Sequence, residues 1–447
     1  MTKEVLEILN ILNTAGHEAY LVGGSVRDFC LGLAAQDHDI TTSALPEETM
    51  GLFQNAGYGV IPTGLKHGTV TVRMHHQSYE VTTFRKDGTY SDGRHPDDVS
   101  FVSNLREDLA RRDFTVNAMA WHPDQGVVDY FGGQQDLKAG VLRCVGDPGK
   151  RFQEDGLRIF RLIRFAAQLG FAVDPKTEQA ARANATLLRR IAPERIQVEL
   201  MKLLQGDHVE TVLLQYPDIL AIWIPEILPC VGFHQNNRYH VYDVWGHTCK
   251  AVASCKNIPE LRLAMLLHDI EKPACYTQDI LPDGSVKGHF YGHATQSAKT
   301  ANTILHRLRL DNETIHTVTT LIGVHCDPLT PNPKQIKRFL RKIGAPMVKL
   351  LIEHHRGDNL AQAPFVALER LPVWDEVEAM VDQIIAEEQC FSLKDLAVNG
   401  SDLVALGIEK GPRIGVLLDQ LLDDVISGKL PNEREALLSA VIPASQK

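Results

Sequence analysis

Tyr20-Leu21-Val22-Gly23-Gly24-Ser25-Val26-Arg27-Asp28, followed by Asp37-His38-Asp39, is the most informative stretch of the 447-residue chain. The apolar run Tyr20 to Val22 reads as a short buried strand, the two glycines as a tight turn, and Ser25 onward as a helix whose first N–H groups can face a phosphate. If Asp37 and Asp39 lie on a second strand, their i, i+2 spacing turns both carboxylates to one face, where they can hold hard divalent cations through oxygen. Alone, a Gly-Gly turn followed by two acids is also the makeup of an ordinary exposed turn. The segments downstream weigh against that.

The pairing of an anion cradle with two acids suits the transfer of a nucleotidyl group. A nucleoside triphosphate is polyanionic, so attack of a hydroxyl on its α-phosphorus needs metal ions that neutralise charge and lower the hydroxyl's pKa, with attacking and leaving oxygens in line. Asp37 and Asp39 are the expected metal ligands, and Gly23, Gly24, Ser25, Arg27 and Asp28 the expected cradle. A third carboxylate commonly completes such a site. Glu80 is the candidate, in the strand-like run Tyr79-Glu80-Val81-Thr82-Thr83-Phe84 that follows the alternating Thr69-Val70-Thr71-Val72.

Two further segments carry chemistry. In Arg111-Arg112-Asp113-Phe114-Thr115-Val116-Asn117-Ala118, arginine forks suit triphosphate oxygens, and the short Asp113 and Asn117 side chains can hydrogen-bond a ribose hydroxyl; the alternative is a solvated basic turn before the strand Ala118 to Trp121. In Glu154-Asp155-Gly156-Leu157-Arg158, read as helix, Asp155 and Arg158 are i, i+3 neighbours, an acceptor-only carboxylate beside a donor-only guanidinium. Cytosine and adenine both present an amino donor next to an acceptor nitrogen, whereas uracil and guanine present the reverse order. One Asp–Arg pair can therefore accept CTP and ATP and leave UTP and GTP with mismatched, desolvated polar groups. An ordinary helix-surface salt bridge is the competing reading. Arg161 and Arg164, farther along the same segment, are counted with the nucleotide-binding set.

In this order and spacing, over roughly the first 205 residues, these segments resemble the class II tRNA nucleotidyltransferases, the CCA-adding enzyme family, which shares its head with bacterial poly(A) polymerases. The resemblance implies an α+β chain: a polymerase β-type head with a mixed sheet and helices (1–149), a helical neck and body that binds the nucleotide base and tRNA (150–234), and a helical tail (366–447). It implies Mg²⁺, CTP and ATP, and tRNA as partner. In the family, the helix opened by Pro193-Glu194-Arg195 steadies the nucleotide-binding helix. There too, a loop at the position of Arg85 to Val99, whose glycines, proline and charges read as a mobile surface segment, helps switch the pocket from CTP to ATP.

At 44% hydrophobic and 23% charged residues, the composition is that of a protein with several cores. No apolar run approaches the roughly 20 residues that cross a bilayer, and Met1 to Leu9 reads as an amphipathic helix, so a cytoplasmic location is expected. The eight cysteines form no CxxC pair and no disulfide framework, which suits reduced thiols, and none is expected to hold zinc. A net charge of −10 repels phosphate at long range, so tRNA needs a local basic face. Arg151, Arg158, Arg161, Arg164, Arg182, Arg189, Arg190, Arg195 and Lys202 supply candidates, about half of them expected to face solvent or RNA.

The middle of the chain holds a second signature. His247, the adjacent His268-Asp269 after the apolar run Leu261 to Leu267, His293, His325 and Asp358 fall on successive helical segments, where imidazoles and carboxylates can enclose one or two transition metals whose bound water attacks a phosphoester. This resembles an HD-type metal-dependent phosphohydrolase domain over residues 235–365. Its minimal ligands would be His247, His268, Asp269 and Asp358, with His293 and His325 for a second ion or, alternatively, for contact with a phosphate, and Mn²⁺, Ni²⁺ or Co²⁺ as the metal. A domain that has lost its metal and serves as scaffold is the alternative. The tail has helical periodicity over Phe391 to Ile408 and Ile414 to Ile426, broken at Asn399-Gly400 and Lys410-Gly411-Pro412, and resembles the part of family members that grips the tRNA elbow. Complete CCA addition is the function expected. A poly(A) polymerase, or an HD phosphohydrolase with a nucleotide-binding head, are the alternatives.

Overall fold

The computed structural model describes residues 2–34, 37–88 and 99–445. Two compact units divide the chain, Met1–Pro225 and Glu226–Lys447.

The first unit opens with α1 (Lys3–Thr14), which buries Val5, Ile8, Leu9 and Leu12, an i, i+3, i+4, i+7 stripe, and packs on β1. Then follow β1 (Ala19–Val22), α2 (Gly24–Cys30), β2 (Asp39–Thr42), α3 (Pro46–Asn55), β3 (Gly59–Gly64), β4 (Thr69–Met74), β5 (Gln77–Thr83), β6 (Arg85–Asp87), β7 (Val99–Phe101), α4 (Leu105–Ala110), β8 (Met119–His122), β9 (Gly126–Asp129) and α5 (Gly133–Ala139). The main sheet runs β3-β4-β5-β2-β1-β8-β9. Only β2 and β5 pair in parallel, which makes this the mixed sheet expected of the head. Leu105 and Leu109 of α4 pack with Tyr20, Val22, Phe84 and Ala120.

Three local expectations need correction. Asp37 precedes β2 rather than lying on it; only Asp39 is a strand residue, the first of β2. The segment Arg85 to Val99 is not loop throughout, because its ends pair as the antiparallel strands β6 and β7; the residues from Thr89 to Asp98 lie outside the described ones. Asp155 is not helical. The chain continues as β10 (Val141–Leu142), α6 (Pro148–Glu154) and α7 (Leu157–Leu169), and Asp155 lies at the break, extended at φ −141° and ψ 105°. Its carboxylate accepts the N–H of Leu157 at 3.0 Å, which satisfies an opening amide of α7 as a helix cap does. The unit closes with β11 (Ala172–Val173), parallel to β10, then α8 (Pro175–Ala183), α9 (Pro193–Leu204), α10 (Val209–Gln215) and α11 (Pro217–Leu220).

The second unit is largely helical: α12 (Val244–Ser254), α13 (Pro259–Leu267), the hairpin β12 (Thr277–Ile280) and β13 (Val286–His289), α14 (His293–Arg307), α15 (Asn312–Val324), α16 (Pro333–Ile343), α17 (Ala345–Leu360), α18 (Pro364–Ala386), α19 (Gly400–Ala405), α20 (Pro412–Ile426) and α21 (Arg434–Ser445). Gly357 in α17 permits a close approach: a Cβ there would lie 2.6 Å from the Cβ of Cys255 at the end of α12. That contact sets Asp358 against α12. Between Phe391 and Val398 the chain forms only a short 3-10 turn, Leu393–Asp395, where helical periodicity predicted more; Leu396 and Val398 are buried against Leu403, Leu421, Leu422 and Ile426 instead. Among the described residues, no helix is long and apolar enough to cross a membrane.

Candidate functional site

Strand register assembles the head site. Asp39 stands opposite Val22 of β1 and, in the parallel pairing, beside Glu80 of β5; neighbours in register share a face of the sheet. Asp37 enters from the segment before β2, whose backbone is tied down because the Ser25 hydroxyl donates to the Asp37 carbonyl. All three carboxylates are exposed. Partial burial first, and Asp37 among their neighbours, raise the pKa of Asp39, with Arg112 pulling it back; Glu80 is raised by burial and then by Asp39 and Asp37. The structure thus brings Asp37, Asp39 and Glu80 into one mutually repelling group, although the strand placement expected for Asp37 is wrong.

Gly23 closes this group from above. Its φ of +75° lies in the left-handed region, and a Cβ there would lie 2.8 Å from Arg112 Nη1 and 3.8 Å from Asp39 Oδ2. Gly24 and Ser25 begin α2, so their N–H groups have no carbonyl to bond within the helix. Arg112 is anchored behind the acids by Asp108, as is Arg111: Asp108 Oδ1 accepts from Arg111 at 2.9 Å and Oδ2 lies 3.8 Å from Arg112. Asp108 is fully buried and also accepts from the Thr41 hydroxyl at 3.2 Å. Sequence reasoning missed it; its position, three and four residues before the two arginines on a helix end, was the available signal.

Deeper in, the remaining motif residues form a chain of charge-assisted bonds. Arg27 donates to Asn117 Oδ1 at 2.8 Å and to Asp28 at 2.8 Å, and Asn117 donates to Asp113 Oδ1 at 3.2 Å. Arg161 meets Asp113 Oδ2 at 2.6 Å, and Arg164 meets Glu199 of α9 at 2.5 Å. Although burial alone would raise it, Arg161 holds the Asp113 carboxyl at about 2. The Phe165 ring lies among Arg27, Arg161 and Arg164, with the Arg164 guanidinium 3.8 Å from its centroid. Glu199, too, went unrecognised in the sequence.

The two base-reading candidates do not face each other as a helical pair. Arg195 of α9 grips Asp155 at 2.9 Å. Arg158 is held by Glu154 at 2.6 Å and donates to the carbonyls of Arg151 at 3.0 Å and Arg111 at 2.9 Å. Of the basic neck residues, Arg151, Arg158, Arg161, Arg164, Arg182 and Arg195 are ion-paired. Arg189, Arg190 and Lys202 are exposed and form no ion pair among the described residues.

The second unit brings all of its sequence-selected histidines and acids together. His247 Nε2 lies 2.9 Å from Asp358 Oδ1 and 3.5 Å from Asp269 Oδ2; His268 Nε2 lies 3.1 Å from Asp269 Oδ2 and 3.6 Å from Asp358 Oδ1. His293 and His325 approach the other oxygen, Asp269 Oδ1, at 3.2 and 3.8 Å. Each ring presents Nε2 inward because Nδ1 is engaged by a backbone carbonyl: Ala361 for His247, Met265 for His268, Phe290 for His293 and Ile322 for His325. Metal-binding histidines are oriented in this way. Among the described residues, buried His247 Nε2, His268 Nε2 and Asp269 Oδ1 have no hydrogen-bond partner of good geometry, as fits atoms whose partner is a cation, whereas Asp269 Oδ2 has the Lys272 ammonium beside it. Three residues here were missed in the sequence: Lys272, whose Nζ lies 2.6 Å from Asp269 Oδ2, Cys326 beside His293 and His325, and buried His354, which burial holds neutral with a pKa well below the ordinary 6.5. A pocket of about 410 Å³ lined by Arg238, Tyr239, His240, Gln362, Arg370 and Trp374 adjoins the cluster through His240, whose ring meets that of His247 edge-on at 4.9 Å.

Comparison with known proteins bears on both units. Residues 19–143 match the family model described as the poly A polymerase head domain, residues 170–230 the probable RNA and SrmB binding site of polymerase A, and residues 290–441 the putative domain 2 of tRNA nucleotidyltransferase. The CCA-adding enzyme of Levilactobacillus brevis is 36% identical over 97% of this chain and 96% of its own length. That of Lacticaseibacillus paracasei is 34% identical over 99% of this chain and 97% of its own. The crystal structure of the Bacillus stearothermophilus CCA-adding enzyme in complex with CTP superposes with a TM-score of 0.75 at 29% identity, covering 100% of this chain and 98% of that one. With the similarity running the length of both sequences, the chain belongs to the CCA-adding enzyme family, the tRNA nucleotidyltransferases.

Proposed function

We propose that this chain completes tRNA 3′ ends with CCA, from CTP and ATP and without a nucleic-acid template, at the cleft formed by β2, β5 and the opening of α2. One observation carries the reading: Asp37, Asp39 and Glu80 converge below the Gly23–Ser25 turn, close enough for Asp37 and Asp39 to raise the pKa of Glu80. Such a repelling group fits a hard divalent cation, and we assign Mg²⁺ to Asp37 and Asp39 with Glu80 as third ligand. Bound there, Mg²⁺ would neutralise triphosphate charge and lower the pKa of the tRNA terminal hydroxyl. The chain's own residues do the rest. The amides of Gly24 and Ser25 and the forks of Arg111 and Arg112 receive phosphate oxygens. Asp113, fixed by Arg161, and Asn117, fixed by Arg27, meet the ribose.

Asp155 and Arg158 read the base. Asp155 accepts from the amino group of cytosine or adenine while Arg158 donates to the adjacent ring nitrogen, so uracil and guanine meet like against like. Arg195 and Glu154 hold the two side chains ready, and each gives up part of its grip when a base arrives. A poly(A) polymerase would share the head, but the whole-length relatives are named CCA-adding enzymes. Supplying a tRNA that lacks CCA with each labelled triphosphate, singly and in pairs, tests this. Three additions ending in A are expected, with no UMP or GMP. A long A tail would overturn the assignment. We place the enzyme in the cytoplasm, alongside its tRNA substrates.

A second reading concerns the histidine cluster. The convergence of four imidazole Nε2 atoms on the carboxylates of Asp269 and Asp358 favours a metal centre, with His247, His268, Asp269 and Asp358 holding one ion and His293 and His325, sharing Asp269, a second. Mn²⁺, Ni²⁺ or Co²⁺ there would supply a Lewis acid and an acidified water for phosphoester hydrolysis. The pocket beside His240 would seat the ester: Arg238 and Arg370, without ion pairs among the described residues, face its phosphate, and Tyr239 its sugar or base. Hydrolysis of RNA ending in a 2′,3′-cyclic phosphate, dependent on added Mn²⁺, Ni²⁺ or Co²⁺ and lost in Asp269→Ala, is expected. No turnover with any of the three would refute it.

A further inference from the structure

The two halves of the histidine cluster differ in donor type. Around His247 and His268 the other donors are carboxylate oxygens. Around His293 and His325 a sulfur joins: Cys326 Sγ lies 3.3 Å from His325 Nε2 and 3.6 Å from His293 Nε2, and the two imidazole nitrogens are 3.3 Å apart. The three donor atoms are mutually within 4.8 Å. Asp269 Oδ1 adds an oxygen at 3.2 Å from His293 Nε2 and 3.8 Å from His325 Nε2; its residue is 1% exposed, and this atom has no hydrogen-bond partner of good geometry among the described residues.

These separations can be compared with those around a tetrahedral zinc ion. Bonds of about 2.0 Å to imidazole nitrogen and about 2.3 Å to thiolate sulfur require N···N edges of about 3.3 Å and N···S edges of about 3.5 Å. The observed 3.3, 3.3 and 3.6 Å edges fall on those values. Nor is the arrangement a chance meeting of mobile side chains. His325 and Cys326 follow directly on α15, His293 opens α14, and both histidine Nδ1 atoms are engaged by carbonyls at 2.7 Å.

We propose that Cys326, with His293, His325 and Asp269, forms a sulfur-containing metal site that binds Zn²⁺ or another thiolate-compatible ion in preference to Mg²⁺ or Mn²⁺. The proposal rests on the reading of the cluster as a metal centre and deepens it, because the two positions then differ in metal preference: an all nitrogen and oxygen site at His247 and His268, a softer one at His293 and His325. Deprotonated sulfur is the donor, so binding releases a proton from the thiol. The aspartate site in the head, all oxygen, takes no part.

The test is an anaerobic Co²⁺ titration of the metal-stripped full-length protein, with excess Mg²⁺ present to fill the head site. The expected result is a sulfur-to-cobalt charge-transfer band in the near ultraviolet, abolished by one equivalent of Zn²⁺ and unaffected by more Mg²⁺. Cys326→Ser should lose the band and weaken one cobalt by tenfold or more, while Cys30→Ser keeps it. Cys326→His, which restores a donor without sulfur, should bind cobalt tightly again without the band. Visible d–d absorption without the charge-transfer band, identical in wild type and Cys326→Ser, would overturn the role of Cys326 and leave the metal centre standing. Failure of the wild type to bind cobalt at all would overturn the metal centre and the proposal with it.

Discussion

Asp39 sets folding against function. Burial and Asp37 raise its pKa above the ordinary 3.8, so its ionised form is disfavoured in the fold, and stability falls as pH rises from the unfolded pKa through the folded one. Asp39→Asn should therefore raise the melting temperature at neutral pH without divalent cation while lowering kcat on the order of 10³-fold. Thermal unfolding and initial rates check both, and unaltered turnover would remove Asp39 from the site. Asp113 has the opposite sign. Its folded pKa of about 2 lies below the ordinary 3.8, so its contribution is present above pH 3.8 and lost as pH falls toward 2, on the order of 2 kcal/mol in all. Denaturant unfolding between pH 5 and about pH 2 should show a shallower acid loss in Asp113→Asn than in wild type. Equal slopes would mean that the Arg161 pair contributes nothing to stability. Residue type singled out Asp37, Asp39 and Glu80, and the fold brings these acids together, although Asp37 arrives from the segment before β2 and not from the strand that its spacing suggested. The buried anchor Glu199 was not legible, since a carboxylate on a helix reads alike whether it faces water or a buried arginine, while the spacing of Asp108 before Arg111 and Arg112 was a signal left unread.

At the scale of elements, the break between α6 and α7 matters most. A helical reading of Glu154 to Arg158 failed because the sequence does not reveal that the Asp155 carboxylate caps α7 and leaves the backbone extended. The break leaves Asp155 without a helical partner, and Arg195 of α9 meets its carboxylate instead. Arg195→Ala should leave the fold intact, raise the KM for CTP and reduce discrimination against UTP by about tenfold, a loss of the order expected for one charge-assisted hydrogen bond. Arg195→Lys should recover part of it. Steady-state kinetics with CTP and UTP decide, and unchanged selectivity would make Arg195 a packing residue only. Elsewhere, element prediction succeeded where periodicity and punctuation agreed. The apolar run ending at His268 is α13, and Pro412 opens α20 as its break predicts. It failed from Phe391 to Val398, where apolar spacing compatible with a helix serves an irregular segment packed against α20. Strand pairing of β6 with β7 was hidden by the polar, glycine-rich composition between them.

For the whole molecule, the net charge of −10 confines tRNA attraction to local basic surface. The expectation that about half of the nine neck cations face solvent agrees with the fold, where Arg182, Arg189, Arg190 and Lys202 are exposed; Arg182 is ion-paired with Asp218, leaving Arg189, Arg190 and Lys202. If these meet RNA phosphates, replacing all three by alanine should weaken tRNA binding and flatten the salt dependence of log Kd by roughly 2 units, with little effect on nucleotide choice. Filter binding across a salt series measures the slope, and an unchanged slope would move the RNA contact elsewhere. The family similarity spans both units, and the family was legible from the motifs of the first. What the sequence left open was which groups anchor the motif residues from behind.

The central claim is that an acceptor and a donor on the chain itself choose the nucleotide. The most direct measurement is the ratio of kcat/KM for CTP over UTP on a tRNA lacking CCA, in wild type and in Asp155→Ala. The account predicts a wild-type ratio that collapses by about 10²-fold or more in the variant, most of it from lost CTP use. A variant that still prefers CTP as strongly as the wild type would contradict it.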